Sequence, residues 1–279
     1  MKTITILLLL ISFQLTAQDL VLKGKIQDEN KNPLAFVNIG IVGTSYGTVS
    51  DQNGNFEMYY PNNLPMESEL KCSFIGYKSF SSKLNSIKSP LNVSLEREMI
   101  ELAEVIIKPI KIKRKVIGNE RESTFMKNNF AIPEKPNQNL GAEVGRKFDL
   151  DDKKHYLKTL NTCFAYCTFD TVIFRLNIYS IKNGKPDKNL LKENIYLSLI
   201  NHRKGWKSFN LEPYNLVFDQ DVILALEWVY QSKKGKYLGL NITVPAIGAI
   251  HYYKFGSQNS WKKFLNMSTS MNLEVEKEY

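Results

Sequence analysis

Leu20-Val21-Leu22-Lys23-Gly24-Lys25-Ile26-Gln27-Asp28 is the stretch whose reading decides the fold. Leu20, Leu22, Gly24 and Ile26 fall on one side, and Val21, Lys23, Lys25 and Gln27 on the other. That two-residue period belongs to a strand with one dry face and one wet face. Asp28 to Pro33 is polar and ends in proline, which punctuates the strand with a turn. Leu34 to Val42 then predicts a second strand with Val37, Ile39 and Ile41 on one side. Asp51-Gln52-Asn53-Gly54 is expected to be a hairpin turn, because Asn-Gly tolerates the positive φ angles of a type I′ loop. Asn55–Tyr60, Glu69–Gly76, Tyr77–Leu84 and Leu91–Glu96 continue the series. Many short strands with turns between them describe a β-sandwich.

Gly24 to Asp28, Asn32-Pro33-Leu34-Ala35-Phe36-Val37-Asn38-Ile39, and Gly43-Thr44-Ser45-Tyr46-Gly47 running on to Gly54-Asn55-Phe56 carry a family resemblance, joined by Phe74-Ile75-Gly76-Tyr77. Together they resemble the carboxypeptidase regulatory-like domain, which implies a transthyretin-like sandwich and no chemistry of its own. Glu101-Leu102-Ala103-Glu104-Val105-Ile106-Ile107 is similar to the segment that follows this module in TonB-dependent receptors. The chain is too short for the plug and the barrel of about 22 strands that such receptors carry. The resemblance therefore implies only a compartment, the periplasm or outer-membrane neighbourhood of a Gram-negative envelope.

Beyond residue 108 the pattern changes. Lys108 to Lys115 alternates Ile110 and Ile112 with basic residues, as an edge strand does when lysines discourage mispairing. Contact with an anionic envelope polymer is the other reading. Residues 118–141 are polar and read as a connector. From Val144 strand patterns return, at Ile173–Ser180, Ile195–Ile200, Trp206–Leu211, Val222–Tyr230, Tyr237–Thr243 and Leu273–Tyr279. The expected architecture is all-β: a leader over 1–18, a transthyretin-like sandwich over 19–108, a connector over 109–143, and a jelly-roll-like sandwich over 144–279.

Met1 to Gln18 has a lysine, a short apolar centre and a small residue near its end, the pattern of a secretory signal. The apolar run is shorter than the roughly 20 residues a bilayer span needs. The chain should be exported. Net charge is +9 over 279 residues, and removing Lys2 with the leader lowers it by one. Such a balance suits anionic surfaces. Nucleic acid is a poor partner for an exported protein, and peripheral membrane association is compatible with the charge. The expected partner is an envelope glycan or an envelope protein.

Three cysteines occur, Cys72, Cys163 and Cys167. An odd number leaves one thiol over. Cys163 and Cys167 on one strand would lie about 13 Å apart, beyond the roughly 7 Å Cα separation that a disulfide tolerates. Both should point to one face and be buried.

No enzyme signature stands out. His155, His202 and His251 have no second histidine or glutamate at zinc-ligand spacing. Gly-x-Ser-x-Gly, the phosphate loop and the dinucleotide fingerprint are absent from the sequence. Asp51 to Asn62 lacks the closing glutamate of a calcium loop. No catalytic residue, metal or cofactor is expected. Asp170-Thr171-Val172 resembles a short O-glycosylation signal. Arg175 and Glu227 are expected to pair across a sheet. Trp228 reads as core, while Trp206 and Trp261 are the candidate ligand-binding residues, since flat indoles stack on sugar rings. The leading expectation is a non-catalytic envelope binding protein. The alternatives are a small outer-membrane barrel, suggested by the alternating last strand, and a cryptic glycoside hydrolase, whose paired carboxylates leave no compact motif.

Overall fold

The computed structural model describes residues 19–98, 111–122, 125–135, 137 and 139–279. The expected leader over 1–18, the Glu101–Ile107 segment and Lys108–Ile110 lie outside them. The described chain is all-β, arranged as two sandwiches in contact.

In the first sandwich, strand Asp19–Asp28 lies between Asn55–Pro61 and Leu91–Leu95. The facing sheet runs Gly47–Val49, Asn38–Ile41, Glu69–Ser73, Phe80–Lys83. Leu22, Ile26, Ile39, Ile41, Phe56, Met58 and Cys72 fill the space between the sheets. Gly24 sits on the inward side because nothing larger fits. A Cβ there would fall 1.9 Å from the Leu91 carbonyl oxygen and 2.7 Å from the Phe56 ring.

The Asp51–Gly54 turn departs from expectation. Only Gly54 has positive φ, at 77°, and the strands on either side belong to different sheets. The cause is the Asp51 carboxylate, which accepts the backbone amides of Asn53 and Asn55 at 2.8 Å each. With that side-chain turn in place, Asn53 takes no positive φ. The type I′ geometry appears instead at Asn183 and Gly184, with φ of 52° and 68°, where Lys182 faces Lys185 in a true hairpin.

The second sandwich stacks two larger sheets. One runs Lys185–Asn189, Thr171–Lys182, Val222–Gln231, Glu143–Phe148, Ile250–Lys254, Lys262–Leu265, with Ile195–Ile200 also on Thr171–Lys182. The other centres on the long strand His155–Cys167, flanked by Met271–Glu278 and Leu238–Thr243. The chain crosses repeatedly between the two sheets, from Glu143–Phe148 to His155–Cys167 to Thr171–Lys182 and again from Val222–Gln231 to Leu238–Thr243 to Ile250–Lys254, which is the jelly-roll-like arrangement. Ile112–Gly118 is the edge beside Met271–Glu278, and Met126–Asn129 pairs with Leu238–Thr243. Most of the connector thus belongs to this sandwich. Both sheets end in edge strands around a packed apolar core, so the barrel alternative does not describe this unit.

Phe164, Phe174, Leu224, Leu226 and Trp228 are fully buried in that core. Each such side chain contributes roughly 1.5–3 kcal/mol by leaving water. Trp228 packs against Phe169 at 5.7 Å and donates its indole N–H to the Tyr230 carbonyl at 3.1 Å.

The cysteines are free and buried, but Cys163 and Cys167 do not share a face. The register of His155–Cys167 against Leu238–Thr243 shifts between Phe164 and Tyr166. That irregularity turns Cys167 into the core with Phe164. Cys163, adjacent to Phe164, points the other way and meets the Asn241 amide at 3.1 Å.

Candidate functional site

The sandwiches meet along a seam built on small residues. Ser257 donates its hydroxyl to the Ile39 carbonyl at 2.6 Å, with the Thr48 carbonyl 3.1 Å away. A Cβ on Gly47 would fall 2.7 Å from that hydroxyl, and one on Gly141 would fall 2.8 Å from the Ser257 Cβ. Gly43 donates its amide to the Gln258 carbonyl at 3.0 Å. The family-type glycine loop of the first sandwich is thus the surface that seats the second. Beside the seam, Phe36 packs on Tyr196 and Tyr230 at 5.4 and 6.3 Å.

Next to this seam opens a cleft of about 470 Å³. Its floor is one face of the large sheet of the second sandwich. Lys254, Glu143, Glu227 and Arg175 lie in register on four adjacent strands, forming a charged row perpendicular to the chain direction. Arg175 donates from Nε to one Glu227 oxygen at 2.8 Å, and its Nη2 lies 2.7 Å from the same oxygen as an ion pair. The expected cross-sheet pair is therefore present, and it is buried. Lys254 pairs with Glu143. Asn177 joins the two acids, its amide nitrogen 3.1 Å from Glu143 and 2.9 Å from Glu227. Tyr179 donates to Glu143 at 2.8 Å. The first sandwich completes the enclosure: Arg175 also donates to the Phe36 carbonyl at 2.9 Å, and its guanidinium lies over the Phe74 ring.

Burial shapes the protonation of this row. It pushes the Glu143 carboxyl above its ordinary range, with Lys254 pulling the opposite way and Glu227 adding to the rise. Burial opposes the charge on Arg175, but Glu227, with Tyr196 and Glu143, more than offsets it and the group stays cationic. The Tyr179 hydroxyl is held well above its usual value by burial and then by Glu143.

Trp261 forms a wall of this cleft. It meets Tyr179 edge-on at 5.6 Å, and the Lys254 ammonium sits 5.2 Å from its ring centre. The remaining lining is rich in amides and hydroxyls, including Asn38, Ser73, Asn189, Gln258 and Asn259. The other candidate, Trp206, lies elsewhere, on a strand paired with His155–Cys167, opposite Cys163. The structure does not bring the two indoles together. Sequence reasoning missed Glu143, Lys254, Asn177 and Tyr179 as a group. Their signal was charge inside apolar runs, as in Glu227 within Val222–Gln231.

The histidines are dispersed in separate backbone and side-chain contacts. Among the described residues no three His, Cys, Asp or Glu side chains are placed to hold a metal. Thr171 of the glycosylation-like triplet begins strand Thr171–Lys182.

Two stacked sandwiches joined over a polar cleft define the molecule as an all-β, two-module protein. Residues 22–107 match the family model of the CarboxypepD_reg-like domain, and the first sandwich is a module of that kind. The match leaves the second sandwich outside it. No curated protein matches the sequence. Among solved structures, the chain is similar to the cysteine protease and lectin-like domains of Cwp84, a surface layer associated protein of Clostridium difficile. Identity is 10%, the TM-score is 0.40, and the alignment covers 88% of this chain but only 59% of that one. A second Cwp84 structure, after propeptide cleavage, aligns at 9% identity and TM-score 0.40, over 92% of this chain and 70% of that one. BcpA, the major pilin subunit of Bacillus cereus, aligns at 10% identity and TM-score 0.19, over 90% of this chain and 69% of that one.

Proposed function

We propose that this chain is a non-catalytic exported envelope protein that binds a glycan in the cleft between its two sandwiches. One observation carries the reading: the cleft combines an indole wall, Trp261, with a floor of fixed charges and amides. Sugars are recognised by that pairing of a flat apolar surface with convergent hydrogen-bonding groups. The leader-like start of the sequence supports export, and the basic net charge suits acidic envelope glycans.

The same geometry speaks against hydrolysis. A glycosidase places its two carboxylates on either side of the scissile bond. Here the Asn177 amide nitrogen occupies the space between Glu143 and Glu227. Each acid is also tied to a cation, so the row acts as a rigid polar floor. Screening the mature protein against envelope polysaccharides and fluorogenic glycosides tests this. Saturable binding without product is expected. Turnover abolished by Glu143→Gln would replace the reading with a hydrolase, and binding only to an envelope protein would make the partner a polypeptide.

A further inference from the structure

A second cavity, of about 430 Å³, lies at the opposite, basic edge of the second sandwich and is lined by Lys113, Lys115, Lys153, Lys277, Glu278 and Tyr279. We propose that it is a binding site for a phosphoryl-bearing ligand, independent of the glycan cleft.

The lysines come from three separate places in the chain. Lys113 and Lys115 stand two apart on the edge strand Ile112–Gly118, Lys277 lies on Met271–Glu278, and Lys153 precedes strand His155–Cys167. Lys113 and Lys277 are direct register partners. Like charges placed opposite each other across a ladder are destabilising, and Asp151 answers only one of the two, through its pair with Lys277. Protection of a free edge accounts for lysines on the edge strand itself. It does not account for Lys153 and Lys277 converging on them from other elements.

Two acids stand nearby, and neither forms an ion pair with Lys113, Lys115 or Lys153. Asp151 pairs with Lys277 and accepts the Lys153 amide at 3.1 Å, and Glu278 accepts the Tyr156 hydroxyl at 2.5 Å. Lys113, Lys115 and Lys153 have no anionic partner among the described residues. Several ammonium groups around one hollow, with their stems exposed, suit the clustered charge of a phosphate or diphosphate. A lone carboxylate would leave most of that positive charge unanswered.

The test measures binding of the full mature chain to pyrophosphate by calorimetry and to phosphatidylglycerol vesicles by co-sedimentation, with phosphatidylcholine vesicles as the neutral reference. Lys113→Gln/Lys115→Gln should weaken binding at least about tenfold, because two of the converging charges are removed from exposed positions that carry no packing. Lys182→Gln/Lys185→Gln removes equal charge from an exposed hairpin and should leave affinity unchanged, as should Trp261→Ala. Pyrophosphate binding without vesicle binding assigns a soluble phosphorylated ligand. Selective binding to phosphatidylglycerol vesicles as well assigns a lipid headgroup. Failure to bind either probe, or equal weakening by the two lysine variants, would overturn the site.

Discussion

Arg175 and Glu227 face each other in register on neighbouring strands, the guanidinium giving one hydrogen bond and a close ion-pair contact to a single carboxylate oxygen while both side chains are shut away from solvent. The pair sits where the two sandwiches touch, because Arg175 also reaches the Phe36 carbonyl. Removing one partner of a buried pair leaves an uncompensated charge, which costs about 3–5 kcal/mol. Replacing both by apolar groups of similar volume is often close to neutral. Arg175→Met should therefore lower stability by that amount in urea denaturation, and Arg175→Met/Glu227→Leu should restore most of it. A double variant as unstable as the single one would show that the pair's geometry, and not charge burial, dominates.

The seam around Ser257 predicts a coupling between the modules. Gly47→Ala would drive a methyl against the Ser257 hydroxyl, and overpacking of this kind costs about 1–3 kcal/mol. The change should loosen docking before it unfolds either sandwich. Denaturation followed by tryptophan fluorescence and far-UV dichroism should then separate into two transitions, with a larger radius of gyration between them. An unchanged single transition would mean that the seam yields without cost.

His251 gives a pH dependence with a definite sign. Its ring is buried between the Asn128 amide at 2.9 Å and the Thr269 hydroxyl at 2.8 Å, and burial depresses its pKa to about 4. In the unfolded chain it titrates near 6.5. Its contribution is thus fully present above about pH 6.5 and is lost as pH falls towards 4, because the unfolded state then binds the extra proton. The loss across that window is roughly 3 kcal/mol. His251→Gln should flatten the acid side of the stability profile, measured as Tm between pH 7 and 4. An identical slope in both proteins would exclude the histidine as its source.

The thiols should be silent in the native state. Burial pushes Cys72 up to about 12 and raises Cys163 and Cys167 as well. Thiolate is the reacting form. Ellman's reagent should find almost no thiol in the native protein and three after unfolding. Rapid native labelling of any one would contradict the packing described.

Much of the fold was legible from alternation alone. Ile195–Ile200 carries its faces openly, because one side packs in the core, whereas Val222–Gln231 is buried on both sides and reads as a nearly continuous apolar run. Of His155–Cys167 only the Cys163–Cys167 end was read as a strand. Lys158, Asn161 and Thr162 interrupt its apolar pattern, and the shift near Phe164 breaks the period that also misplaced Cys167. Glu143–Phe148 was hidden for a related reason: Glu143 and Arg146 are polar yet buried, satisfied by partners far away in sequence. The cleft could not be read from periodicity, since Lys254, Glu143, Glu227 and Arg175 meet only once the sheet order is set. Trp261 was singled out for its chemistry, but its setting beside Tyr179 and Lys254 depended on that order. Trp206 had the same chemistry and a different address.

On the proposed function, the cleft walled by Trp261 holds a glycan. Isothermal titration of an envelope oligosaccharide that binds the mature protein, repeated with Trp261→Ala and Trp206→Ala, tests it most directly. The account predicts at least about tenfold weaker binding for Trp261→Ala and unchanged affinity for Trp206→Ala. Equal affinity in all three proteins, or loss only with Trp206→Ala, would contradict it.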